Sequence, residues 1–298
     1  MVRRPQKAWI LVSIFCAAVG TVGALSPNRY GEHGVAAPFM RLSNQNEGNL
    51  STLLGQAADY CDTLSRAVLD FVCRENIEEW FYTKWEKVNM LAGSVFTDGR
   101  IERYEYLYDY QLVHDRAGHL GENRTLIKEQ GKNTEISNAP LKTHIFKYAY
   151  VIRGPLGLLG RDRQADFTYK IVREEKAIGE TAVVIEAVPK AGVHPDYLFG
   201  TIWLRKKDAG ILKIQWNPAS MENYAGVENV GRLLNLKPDV LMTSEYAFEK
   251  NGIRFPSRYN IKERYLGKLG RSFQRSETDV TYDQYKFFSV ETDVIYSK

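Results

Sequence analysis

The stretch Ile101-Glu102-Arg103-Tyr104-Glu105-Tyr106-Leu107-Tyr108-Asp109-Tyr110 sets a tyrosine at every second position over its last seven residues. Successive side chains of a β-strand point to opposite faces, so Tyr104, Tyr106, Tyr108 and Tyr110 share one face while Glu105 and Asp109 share the other. Such a strand has one broad aromatic side and one wet side. Turn chemistry around it agrees. Asp98-Gly99 and Asn251-Gly252 are dipeptides that favour positive φ in two-residue hairpin turns, and Lys207-Asp208-Ala209-Gly210 separates Trp203-Leu204 from Ile211-Leu212-Lys213-Ile214. Further strand-like stretches run from Thr143 to Ile152, Thr181 to Val188, Leu241 to Glu249, Arg254 to Leu266, Arg271 to Tyr282 and Phe287 to Tyr296. With connections this short the expected fold is mainly β: an antiparallel sheet, strongly curved or partly closed.

Ahead of the strands lie segments of other character. Arg3, Arg4 and Lys7 precede an apolar stretch from Ala8 to Val19, and Val22-Gly23-Ala24 offers small residues to a signal peptidase. Residues 1–24 are therefore expected to be a signal peptide and the chain to be exported; the apolar stretch is short for a membrane span of about 20 residues. Residues 25–48, rich in Asn, Gly, Ser and Pro and without periodicity, read as a flexible leader, and 49–298 as a single domain. Leu53, Leu54, Ala57, Ala58, Cys61 and Leu64 recur at helical spacing, whereas Leu69, Phe71 and Cys73 alternate as in a strand. With Cys16 in the signal, Cys61 and Cys73 are the thiols of the mature chain. In an oxidising compartment they are a disulfide candidate between the first helix and the first strand, the alternative being two buried free thiols.

The 298 residues carry a formal net charge of +4, with Lys and Arg interleaved with Glu and Asp, so nothing asks for nucleic acid. A second helix is expected from about Ala219 to Leu236, bounded by Pro218 and Pro238, with Met221, Tyr224, Val227, Val230 and Leu234 as its apolar stripe. No Gly-x-Ser-x-Gly elbow, His-Glu-x-x-His or glycine-rich phosphate loop occurs, and the five histidines are scattered; neither catalytic residues, metal ligands nor a cofactor are expected. Glu245 and Glu263 are carboxylates able to face inward, with cross-strand pairing to Arg or Lys as their expected use.

Taken together, the leading helix, the strand Leu69-Asp70-Phe71-Val72-Cys73-Arg74, the long meander, Gly154-Pro155-Leu156-Gly157-Leu158-Leu159 and the hairpin Thr201 to Ile214 resemble the outer-membrane lipoprotein-sorting family of LolA, LolB and RseB. The most specific piece is the pattern around Trp203. The resemblance implies an unclosed antiparallel β-barrel with covering helices in a bacterial periplasm or envelope, binding a lipid, an acylated lipoprotein or an envelope protein without bond chemistry. An apolar inner side of such a half-barrel must be filled by side chains, helices or ligand. Candidates to line it are Tyr104, Tyr106, Tyr108, Tyr148, Tyr150 and Trp203, with ordinary core packing as the plain alternative. Leu156, Leu158 and Leu159, set between glycines and flanked by Arg153, Arg161 and Arg163, are read either as an opening flap that presents cations or as a short helix packed on the sheet.

Overall fold

The computed structural model describes residues 37–67, 71–82, 101–114, 120–144, 153–193, 198–221, 224–267 and 272–288. The stretch expected to be a signal peptide, the first half of the expected leader, the Asp98-Gly99 turn, His194 and the stretch 289–298 lie outside the described residues. So does 145–152, most of the strand expected from Thr143; Thr143 and His144 themselves are not in a strand.

Residues 42–298 form one compact unit. Its strands are β1 (Phe71–Tyr82), β2 (Ile101–His114), β3 (Leu120–Glu129), β4 (Lys132–Ile136), β5 (Phe167–Ala177), β6 (Glu180–Pro189), β7 (Gly200–Arg205), β8 (Ile211–Trp216), β9 (Lys237–Glu245), β10 (Phe248–Lys250), β11 (Ile253–Phe255), β12 (Arg258–Leu266) and β13 (Ser272–Phe287). Helices α1 (Ala37–Ala67), α2 (Arg153–Leu159) and α3 (Tyr224–Leu234) accompany them. Helix α1 begins inside the stretch expected to be a flexible leader. Eleven strands make one sheet in the order β4-β3-β2-β1-β13-β12-β9-β8-β7-β6-β5, antiparallel at every described pairing. The sheet is unclosed: β4 and β5 are its edges, and β10 and β11 form a separate hairpin between β9 and β12.

Local chemistry sets the turns. Asn251 and Gly252 both take positive φ, 53° and 78°, closing β10 onto β11, and Ala209 (φ 55°) does the same between β7 and β8. Register then decides which side chains share a face. Cys73, Glu75, Ile77 and Glu79 lie opposite Tyr110, Tyr108, Tyr106 and Tyr104 on one side, while Glu75, Ile77 and Glu79 lie opposite Tyr282, Val280 and Thr278 on the other. Their face, here called inner, bears the main core, which also takes Leu53, Ala57, Tyr60, Cys61 and Leu64 of α1, Leu158 and Leu159 of α2, and Val227 of α3.

Three expectations change at this level. Trp203 does not belong to the inner face: Ile202 and Leu204 on either side of it point inward, so alternation sends Trp203 outward into a small cluster with Ala182, Val184 and Leu212. Cys61 and Cys73 are free buried thiols, not a disulfide. Cys61 Sγ, on α1, donates to Pro155 O of α2 at 3.7 Å. Finally, the second helix is shorter than expected, because Pro218–Ser220 forms a 3-10 turn of its own and Pro238 is already in β9.

Candidate functional site

The inner face is the candidate site, and its floor is built from aromatic rings. Tyr106, Tyr108 and Tyr110 are buried there, as their spacing predicts, while Tyr104 is half-buried at the margin. Tyr148 and Tyr150 lie outside the described residues. Trp216, Tyr246, Tyr259 and Tyr265 extend the same layer across β8, the start of the hairpin segment, and β12. Burial pushes the phenols of Tyr106 and Tyr108 up to about 12.

Above this floor sit α1 and α2. Leu158 and Leu159 are fully buried and Leu156 is half-buried. The segment is thus a short helix packed on the core in this conformation. Gly154 explains the seating of α2: a Cβ there would come within 2.7 Å of the Trp216 ring. Gly154→Ala should therefore destabilise the fold by about 1–3 kcal/mol through overpacking, read as a lower urea midpoint; an unchanged midpoint would show that α2 shifts freely on Trp216. Two of the flanking arginines are ion-paired. Arg161 pairs with Asp59 of α1 and Arg163 with Asp162 at 3.4 Å. Gln164, just beyond, donates through Nε2 to Leu54 O of α1 and to Leu159 O of α2, both at 2.8 Å, so its amide staples the two helices.

Carboxylates stand among the aromatics. Glu75, Glu79 and Glu263 are fully buried on the inner face. Arg124 donates to both oxygens of Glu75 at 2.7 and 3.1 Å, with Tyr282 Oη at 3.1 Å, and its guanidinium lies 4.7 Å over the Tyr110 ring. Glu79 accepts from His144 N at 2.9 Å, meets His144 Nδ1 at 2.7 Å and accepts from Thr278 Oγ1 at 3.3 Å. The His144 ring lies 3.9 Å from that of Tyr104. Glu263 takes Tyr265 Oη at 2.5 Å, Arg275 Nη1 at 2.8 Å and Ser276 Oγ at 2.9 Å, the cross-strand arginine pairing expected of it. These acids hold the frame: each already accepts hydrogen bonds from neighbours that anchor loops or adjacent strands.

No protein-family model matches the chain, and no curated protein matches it. Solved structures do. A LolA superfamily protein from Nitrosomonas europaea is 13% identical over 81% of this chain and 96% of its own, with a TM-score of 0.34. A DUF1329 family protein from Desulfovibrio piger is 9% identical over 82% and 95%, at 0.35. A putative outer membrane lipoprotein-sorting protein domain from Vibrio parahaemolyticus is 10% identical over 80% and 93%, also at 0.35. Two of the three bear the name of the family that the sequence resembles.

Proposed function

We propose that this chain is an exported cell-envelope binding protein, with residues 1–24 as signal and 49–298 as its working domain. It shelters a lipid or the acyl chain of a lipoprotein on the inner face of the half-barrel, and it acts by binding, without bond chemistry. The observation that carries this reading is the composition of the two layers that meet there. The floor from β2 to β6 is aromatic and aliphatic apart from the paired carboxylates of Glu75, Glu79 and Glu263, and two stapled helices face it with Leu53, Ala57, Leu158 and Leu159. Helices on a sheet can move away as a body, and the surface they would expose suits an acyl chain. In the conformation described, the buried leucines of α2 stand where a ligand chain would lie on this reading.

A second reading has its own support. Tyr106, Tyr108, Leu158 and Leu159 are buried by the protein itself, which suits a module whose core stays sealed and whose outer surface binds another envelope protein. Mass spectrometry of organic extracts separates the two, using protein purified from its native envelope without detergent beside a mock purification. A stoichiometric lipid or acylated peptide is the expected result. Its reproducible absence, with the fold intact, would overturn the carrier reading in favour of the partner-binding one.

A further inference from the structure

The β10–β11 hairpin lies outside the main sheet, and its pairing turns the main-chain N–H and C=O of Arg254 away from the partner strand. Lys250 and Ile253 flank the two-residue turn, so the next pair, Glu249 and Arg254, is the non-hydrogen-bonded one and the Arg254 N–H and C=O point outward. Tyr60 of α1 meets both groups. Its hydroxyl accepts from Arg254 N at 2.7 Å and donates to Arg254 O at 3.2 Å. One phenol thus stands in for a neighbouring strand, satisfying both main-chain groups of a buried residue.

The hairpin is itself fixed from behind. Arg254 Nη1 donates to Tyr246 O at 3.1 Å, and Nη2 approaches Glu249 at 3.0 Å and Glu180 at 3.4 Å. Arg205, almost fully buried, ties the same Glu249 at 2.7 Å to Asp208 of the β7–β8 turn at 2.8 Å. The Arg205 guanidinium holds the Glu249 carboxyl below its ordinary range. Burial pushes the Tyr60 phenol well up, so it keeps its proton and remains a donor at any ordinary pH.

We infer that Tyr60 is the latch that holds α1 closed over the inner face, with the β10–β11 hairpin as its keeper. This deepens the proposed function, on whose moving cover it rests. Elsewhere the described residues of α1 meet the core through apolar side chains or meet α2 and its flank; the Tyr60 contact joins α1 itself to the frame, while α2 has its own tie to β5, where Tyr169 Oη donates to Leu158 O at 2.5 Å. A latch of two hydrogen bonds has a clear consequence. Removing it should ease local opening of α1 without melting the sheet.

The two thiols report this without any ligand. Cys61 lies on α1 one residue from the latch and Cys73 lies on β1, both buried. In Tyr60→Phe, which keeps the ring and loses the hydroxyl, native-state labelling of Cys61 by a maleimide should accelerate on the order of tenfold, and clearly more than that of Cys73 on the floor strand. Peptide mapping resolves the two sites. Arg254→Ala keeps the main-chain groups but loosens the keeper, and should show the same selectivity at smaller size; it also serves if Tyr60→Phe folds poorly. Equal acceleration of both thiols, or of neither, would overturn the latch, since the hydroxyl would then contribute only to global stability or to nothing. Because no ligand enters the measurement, failure to find a cargo in the extracts would leave its result standing.

Discussion

Replacing Arg124 with alanine should lower the free energy of unfolding by about 3–5 kcal/mol, a large share of the roughly 5–15 kcal/mol that ordinarily holds a domain folded. The reason lies in what it leaves behind. Glu75 has no exposed surface, and in the intact protein its charge is met by a bidentate guanidinium at 2.7 and 3.1 Å. Without Arg124 that carboxylate must stay charged and poorly compensated in the core or take up a proton, and either costs far more than a surface ion pair is worth. Equilibrium urea unfolding of Arg124→Ala beside Arg124→Lys checks this. Lysine keeps the charge but not the fork, so it should recover only part of the loss. A loss under about 1 kcal/mol for the alanine variant would mean that Glu75 finds water or another donor, and the buried pair would not be a fixed part of the frame.

The second large effect is alkaline unfolding. Burial holds the Cys61 thiol at about 12 against an ordinary 9.0, and the Tyr106 and Tyr108 phenols at about 12 against 10.0. Tyr60, Tyr246 and Tyr259 are pushed in the same direction by the same cause. All are raised relative to the unfolded chain, so the stability they contribute is fully present below pH 9 and is lost as pH climbs toward 12, where the unfolded state sheds protons that the folded state retains. The urea midpoint should be flat from pH 7 to about 9 and then fall steeply, with tyrosinate absorbance rising in one step together with loss of structure. Gradual tyrosinate formation with the sheet intact at pH 11 would contradict the burial of these rings.

What the sequence made legible, and what it hid, divides along sequence distance. Alternation in Tyr104 to Tyr110 correctly assigned the aromatic face of β2, and Asn251-Gly252 and Asp208-Ala209-Gly210 correctly closed their hairpins, because both signals are written in neighbouring residues. The same alternation in Phe71-Val72-Cys73-Arg74-Glu75-Asn76-Ile77-Glu78-Glu79 puts Glu75 and Glu79 in phase with Phe71 and Ile77, yet a glutamate in a strand ordinarily means solvent. Only partners brought from afar make burial tolerable: Arg124 from β3 for Glu75, and His144 and Thr278 for Glu79. His144 carries no local sign of that role. Trp203 misled for a related reason. In β7 both faces are buried, so the run Ile202-Trp203-Leu204 has no polar residue to mark which side is which. The glycines near α2 left both a flap and a packed short helix open, because what Gly154 answers to is the ring of Trp216, a contact between elements far apart in the chain. Tyr60 lay in plain view on the first helix, but its partner is a main-chain group, and no side-chain pattern announces one.

The seam between β1 and β13, running from Phe71 opposite Phe287 to Phe81 opposite Ser276, joins the first strand of the domain to the last. On either side of it the chain forms two meanders of largely local contacts, β1 to β4 and β5 to β13, which can each organise as they are made. Their union cannot begin until the final strand is available, since closing this pairing spans nearly the whole domain and requires its loop-closure entropy to be met at once. A chain threaded across a membrane from its N-terminus would therefore arrive with β1 unpaired on one side and Glu75 without Tyr282 until the end of its transit. In a chain exported as proposed, that order would keep the polypeptide open during transit and reserve completion of its core for the far compartment.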